Sequence, residues 1–200
     1  MKTPGISSNL GLFVGVFFLS TNVFASICGS NPGDWWLSND EMTDYEFGEI
    51  KKILFGATAN VVYSAHDPKG ITGGLPEKYN LAVSLLNSRL MMTFKDGNET
   101  GTLNLPVPKK MWSYKVDTHD GKTTYGGGPM LYKEWRLQGM PTGTGIFASG
   151  MIAPVKYSLV LQGNGNSCDE ASHFTHWRLE VTGKNASYAF YGELRIPISQ

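Results

Sequence analysis

The sequence predicts an all-β fold: a single-domain antiparallel β-sandwich, immunoglobulin-like or jelly-roll-like, with room for one short N-terminal helix. Three observations predict it. Short apolar or alternating runs recur along the chain, separated by Gly, Pro, Asn and Asp, which is the pattern of strands and turns. The 24 glycines and 10 prolines are scattered, so they punctuate elements instead of forming a linker. In Trp177-Arg178-Leu179-Glu180-Val181, and at Tyr157, Leu159 and Leu161, apolar residues fall at every second position, which buries one face of a strand and wets the other.

Taken in order, residues 1–25 read as a secretory signal peptide. Lys2 supplies a positive start, Leu10 to Leu19 an apolar stretch, and Val23-Phe24-Ala25 a small-residue cleavage site. The apolar stretch stops at Ser20-Thr21-Asn22 and falls short of the ~20 apolar residues that cross a bilayer, so no integral membrane segment is expected after cleavage. The domain is then residues 26–200, long enough for one sizeable core. Two cysteines, Cys28 and Cys168, remain in it, and in an oxidising compartment the simplest pairing is one disulfide joining the new N-terminus to a late loop. Closing so long a loop is worth ~4 to 5 kcal/mol in the chain-entropy account.

Over residues 39–55 helix and strand compete. Ser38-Asn39-Asp40-Glu41 has a capping-box pattern, and Met42, Tyr45, Ile50, Ile53 and Leu54 could share a helical face ending before Gly56. Gly48 and the alternation of Tyr45 with Phe47 argue the other way. Strands are expected at 59–65, 79–86, 89–95, 100–107, 112–117, 131–138, 155–162, 175–182 and 187–198. Asp96-Gly97 suits a tight hairpin between the third and fourth of these, because glycine accepts positive φ. No solenoid or propeller repeat is visible.

Composition narrows the partners. Lys plus Arg and Asp plus Glu each number 17, and no basic run exceeds the pairs Lys51-Lys52 and Lys109-Lys110. Nucleic-acid binding needs a clustered basic surface, so no nucleic-acid partner is expected. His173 and His176, near Asp169 and Glu170, could ligate a metal if they lay on one helical turn; in a loop entering a strand, residues three apart point to opposite faces, and no metal is expected. His66-Asp67 and His119-Asp120 lack a Gly-x-Ser-x-Gly elbow to supply a nucleophile and read as turn dipeptides. Gly126-Gly127-Gly128-Pro129 lacks the Lys-Ser/Thr of a phosphate loop. No catalytic residue and no cofactor is expected. Trp112, Trp135 and Trp177 fall in strands and read as core. Of the adjacent pair Trp35-Trp36, one ring can pack while the other faces outward, which makes Trp35 and Trp36 candidates for surface binding.

The C-terminal run Gly183-Lys184-Asn185-Ala186-Ser187-Tyr188-Ala189-Phe190-Tyr191-Gly192-Glu193-Leu194-Arg195-Ile196-Pro197-Ile198 resembles the terminal strand of bacterial chaperone–usher fimbrial subunits, in which a glycine-led turn and a tyrosine precede an alternating apolar run. The resemblance implies an immunoglobulin-like domain exported to the periplasm, a chaperone or neighbouring subunit as partner, and assembly into a surface fibrium by strand donation, a form of β-augmentation. Tyr188, Phe190, Leu194, Ile196 and Ile198 match the family's terminal strand and would be the strand-complementation positions. Ser26 to Asp34 lacks the alternating donor arm of typical subunits, which would make this a terminal, adhesive one.

The functional expectation is a secreted, non-catalytic surface protein of the fimbrial or adhesin type, at the periplasm or cell surface. Its partner would be a protein, chaperone or neighbouring subunit, or a host-surface ligand; the alternatives are a periplasmic or secreted protein-binding module of inhibitor or immunity type, and a carbohydrate-binding protein or glycosidase.

Overall fold

The computed structural model describes residues 38–62, 68–117, 131–163, 165 and 168–195. Twelve strands form the expected all-β domain: β1 (Ser38–Glu41), β2 (Leu54–Phe55), β3 (Thr58–Val61), β4 (Lys78–Leu86), β5 (Arg89–Asp96), β6 (Glu99–Pro106), β7 (Trp112–Asp117), β8 (Leu131–Gly139), β9 (Thr142–Gly145), β10 (Val155–Gly163), β11 (Phe174–Gly183) and β12 (Ser187–Arg195). One short helix, α1 (Asp44–Glu49), runs on into a 3-10 turn over Ile50–Lys52. Each of the nine expected strands has a counterpart; the first, expected over 59–65, ends at Val61 with 63–65 outside the described residues, and the last is described as far as Arg195, with 196–198 outside them. The three strands that the pattern did not announce are β1, β2 and β9. β1 is wholly polar, β2 has two residues, and β9 is Thr-Gly-Thr-Gly, so none of them carries an apolar alternation to read.

The strands follow one hydrogen-bonded path, β1-β7-β8-β10-β11-β12-β3-β4-β5-β6-β9, with β2 beside β12. Every pairing is antiparallel. Two meanders, β7 to β12 and β3 to β6, meet where β12 pairs with β3. The chain between β8 and β10 leaves the first meander to place β9 on the free edge of β6. This crossover bends the sheet over a single core, and the Tyr157 hydroxyl of β10 donates to the Pro106 carbonyl at the end of β6. The result is sandwich-like.

The inward positions of both meanders fill the core. Phe190 of β12 has ring neighbours on three sides: Tyr79 (5.9 Å between centroids), Phe94 (4.5 Å) and Phe147 (6.1 Å). Trp135 stacks on Phe174 at 3.8 Å, and Trp177 meets Phe55 edge-on at 5.7 Å. Trp135 and Trp177 are core residues as expected, whereas Trp112 is 45% exposed. On β7 it is Ser113 that faces inward, so Trp112 falls on the outer face.

Two hairpins show how local sequence sets register. At Asp96-Gly97 the turn forms with Gly97 at φ 53° and Asp96 opposite Glu99. Between β4 and β5 a two-residue turn uses Asn87 (φ 50°) and Ser88 (φ 57°), both left-handed, as a type I′ hairpin requires.

The capping box lies elsewhere than the sequence pattern suggests. Ser38-Asn39-Asp40-Glu41 is strand β1, whose backbone ladders with β7 and has no helix start to cap. The cap is Thr43: its Oγ1 accepts from the Glu46 N–H at 3.2 Å, and Glu46 accepts from the Thr43 N–H at 3.1 Å. The helical face also differs, because Glu46 and Glu49 are the buried residues while Tyr45 is 55% exposed. The 39–55 ambiguity resolves as strand, helix and strand in succession.

Candidate functional site

Among the described residues β1 and β9 end the strand path, and inside it part of β4 also keeps its backbone edge open. β3 pairs with β4 only over Lys78–Asn80, and the last bond on that side runs from the Leu81 N–H to the Ala57 carbonyl at 2.8 Å. Peptide groups alternate sides along a strand, so Leu81, Val83 and Leu85 turn theirs away from β5. The two-residue turn gives the same parity independently: Leu86 and Arg89 close the hairpin, so Leu86, Ser84 and Ala82 are the residues that bond to β5. Val83 and Leu85 therefore present N–H and C=O groups that no strand meets among the described residues.

What would have continued β3 turns off toward β12 instead. The Gly56 N–H donates to the Glu193 carbonyl at 2.8 Å, Phe55 and Leu54 pair with Leu194 and Arg195, and Arg195 Nε donates to the Phe55 carbonyl at 3.0 Å. A Cβ on residue 56 would stand 2.9 Å from that Glu193 oxygen, so glycine permits the close approach. The divergence of β2 from β4 opens a groove of about 490 Å³ between Ile50, Ile53 and Leu54 on one wall and Val83 and Leu85 on the other. It borders a second hollow of about 320 Å³, lined by Phe47, Ile50, Leu85 and Val107. Leu54 and Leu86 stand beside them 45% and 61% exposed.

The wall that carries Ile50 and Ile53 is held by buried carboxylates of α1. Glu46 pairs with Lys133 of β8, and its Oε1 accepts from Trp135 Nε1 at 3.3 Å. Glu49 accepts from the Ala171 N–H at 3.0 Å and pairs with Lys52. Burial pushes the Glu46 carboxyl up, but the hydrogen bonds from Lys133, Thr43 and Trp135, with the Lys133 charge, outweigh it and hold the group below its ordinary value. The Lys52 hydrogen bond, then the Ala171 N–H, hold Glu49 low as well. On the opposite face of β8, Arg136 donates from Nε to Glu134 Oε2 at 2.8 Å and lies 3.7 Å over the Tyr114 ring. These charges are fastenings within the fold.

Comparison with protein-family models, with curated proteins and with solved structures returns no match. No helix among the described residues is long and apolar enough to cross a membrane.

The residues singled out in the sequence fall as follows. Tyr188, Phe190 and Leu194 lie on the inner face of β12, 5%, 0% and 8% exposed. That strand has β11 along one edge and β3 with β2 along the other. Ile196 and Ile198 lie outside the described residues, as do Cys28, Trp35, Trp36, His66, Asp67, His119 and Asp120. Cys168 is buried, with Sγ 3.9 Å from the His173 carbonyl oxygen. His173 sits in a 3-10 turn and His176 on β11, both exposed, and no group of three potential metal ligands occurs among the described residues. The groove itself went unread, because β4 looks like an ordinary alternating strand. The lengths expected from sequence for these strands are nearly equal, 59–65 and 79–86, and the mismatch shows only in the fold, where a nine-residue β4 lies beside a four-residue β3.

Proposed function

We propose that this is an exported, non-catalytic protein that binds a partner by accepting an extended segment as an added strand on the free edge of β4. The observation that carries this is the coincidence of open backbone at Val83 and Leu85 with a groove directly beside it that presents apolar side chains such as Ile53 and Leu85. An unpaired edge invites another chain, and natural folds normally shorten, charge or cover such edges. β-Augmentation uses these two components: main-chain bonds for affinity and flanking pockets for alternate side chains. The signal-like residues 1–25 support export. A fimbrial or adhesin-type subunit and an inhibitor-type binding module would both use such a site; β12, flanked by strands on both edges, favours a chain that receives a strand over one that gives its own.

Residue-resolved hydrogen exchange tests the proposal. In the free protein the amides of Val83 and Leu85 exchange fast while that of Leu81 is protected, and an alternating valine–threonine peptide protects the first two. Protection of Val83 and Leu85 in the free monomer would show the edge already occupied and end the proposal.

A further inference from the structure

We infer that the strand received at this edge comes from a partner protein and carries an acidic side chain beside its apolar residues; the inference rests on the strand-addition reading above. The groove is charged on one side of the balance only. Lys51 and Arg195 line it, Lys51 also lines the adjoining hollow, and no carboxylate is among the lining residues of either. Neighbouring cations are already committed: Lys52 pairs with Glu49, and Lys133 with Glu46. Lys51 and Arg195 make no ion pair among the described residues, and Arg195, whose Nε donates to the Phe55 carbonyl, lines the groove. A purely apolar strand would lie beside these two cations without answering their charge. One Asp or Glu would meet them with charge-assisted hydrogen bonds, which are roughly twice as strong as neutral ones.

The geometry also bounds the segment. The open edge runs from Ala82 to Leu86, and at ~3.3 Å per residue about five residues cover it. Side chains at alternate positions of that segment meet the groove's half-buried and buried apolar residues, Ile53, Leu85 and Leu90, so apolar residues belong there. The acidic residue belongs among the outward positions, within reach of Lys51.

Two end-capped heptapeptides alternating valine and threonine, one with a central Glu and one with Gln in its place, test this on the full-length mature protein by calorimetry. The Glu peptide binds about tenfold tighter at low salt, and the advantage fades at high salt. In Lys51→Glu the preference reverses toward a peptide with Lys at the same position; Lys51→Gln merely abolishes it, and both variants should fold because Lys51 is exposed and makes no ion pair among the described residues. Equal affinity for the Glu and Gln peptides overturns the charge inference and leaves strand addition standing. Failure of every peptide to bind overturns strand addition itself. Concentration-dependent dimerisation that these peptides do not compete away would identify a second copy as occupant and overturn the partner assignment.

Discussion

The indole of Trp135 donates to Glu46 across the end of the sheet, Nε1 to Oε1 at 3.3 Å, while its ring lies flat on Phe174. A carboxylate on a six-residue helix is thereby fixed to the centre of β8. The helix is too short to persist alone, since isolated helices under ~12 residues are marginal in water. Its place is dictated by this contact and by the Lys133 ion pair.

Glu46→Ala should therefore destabilise the protein strongly. It leaves Lys133 without its counter-ion and Trp135 Nε1 without an acceptor in a buried site, and breaking one half of such a pair costs about 3 kcal/mol or more. Urea denaturation followed by tryptophan fluorescence measures it. Glu46→Gln, which keeps the indole's acceptor, should fall between the two. A change under about 0.5 kcal/mol for the alanine variant would contradict the role assigned to Glu46.

Acid should release the same helix. Both Glu46 and Glu49 are held below the ordinary value of 4.5 in the folded chain, so as pH falls the unfolded chain takes up protons first. Their stabilisation is complete above that value and is lost below it. Thermal melts should show Tm falling steeply beneath pH 4.5, and Glu46→Gln combined with Glu49→Gln should flatten that slope from a lower starting Tm.

At the alkaline end the sign reverses. Burial raises the phenols of Tyr157 and Tyr188 well above their ordinary 10.0, so the folded chain retains protons that the unfolded chain gives up, and stability declines as pH rises past 10. Spectrophotometric titration should show these two ionising only as the protein unfolds. Tyr157→Phe should also cost about 1 to 2 kcal/mol, because the Pro106 carbonyl loses the hydroxyl that joins β10 to β6.

Phe190→Ala should be among the most damaging core changes. The ring is fully buried and touches Tyr79, Phe94 and Phe147, and removing a buried phenylalanine costs about 3 to 5 kcal/mol. Chemical denaturation is the measurement; a loss below about 1 kcal/mol would mean the three rings can close over the gap.

Much of the fold was legible because burial writes itself as period two. Tyr157, Leu159 and Leu161 alternate, and they face the core. What escaped is instructive in the same terms. β1 and β9 are edge strands with no face to bury, so Ser38–Glu41 imitates a cap and Thr142–Gly145 a loop. In α1 the inward positions are taken by Glu46 and Glu49, whose partners Lys133, Trp135 and Ala171 are distant in sequence; helical periodicity of apolar residues therefore pointed at Tyr45, on the wrong side. The groove depends on where β3 stops relative to β4, a relation between two strands that neither encodes alone.

The union of β12 with β3 ties together two strands far apart along the chain. Asn60 finds Tyr191, and Val61 finds Phe190, only after β12 has been made. During synthesis the meander from β3 to β6 must wait with that flank bare, alongside the edge of β4 that stays open even afterwards. Such late closure is slow and exposes strand edges to other chains. A nascent molecule of this protein would thus be stickiest just before β12 emerges, and a helper that covers β3 until β12 arrives would raise its yield without altering the finished fold.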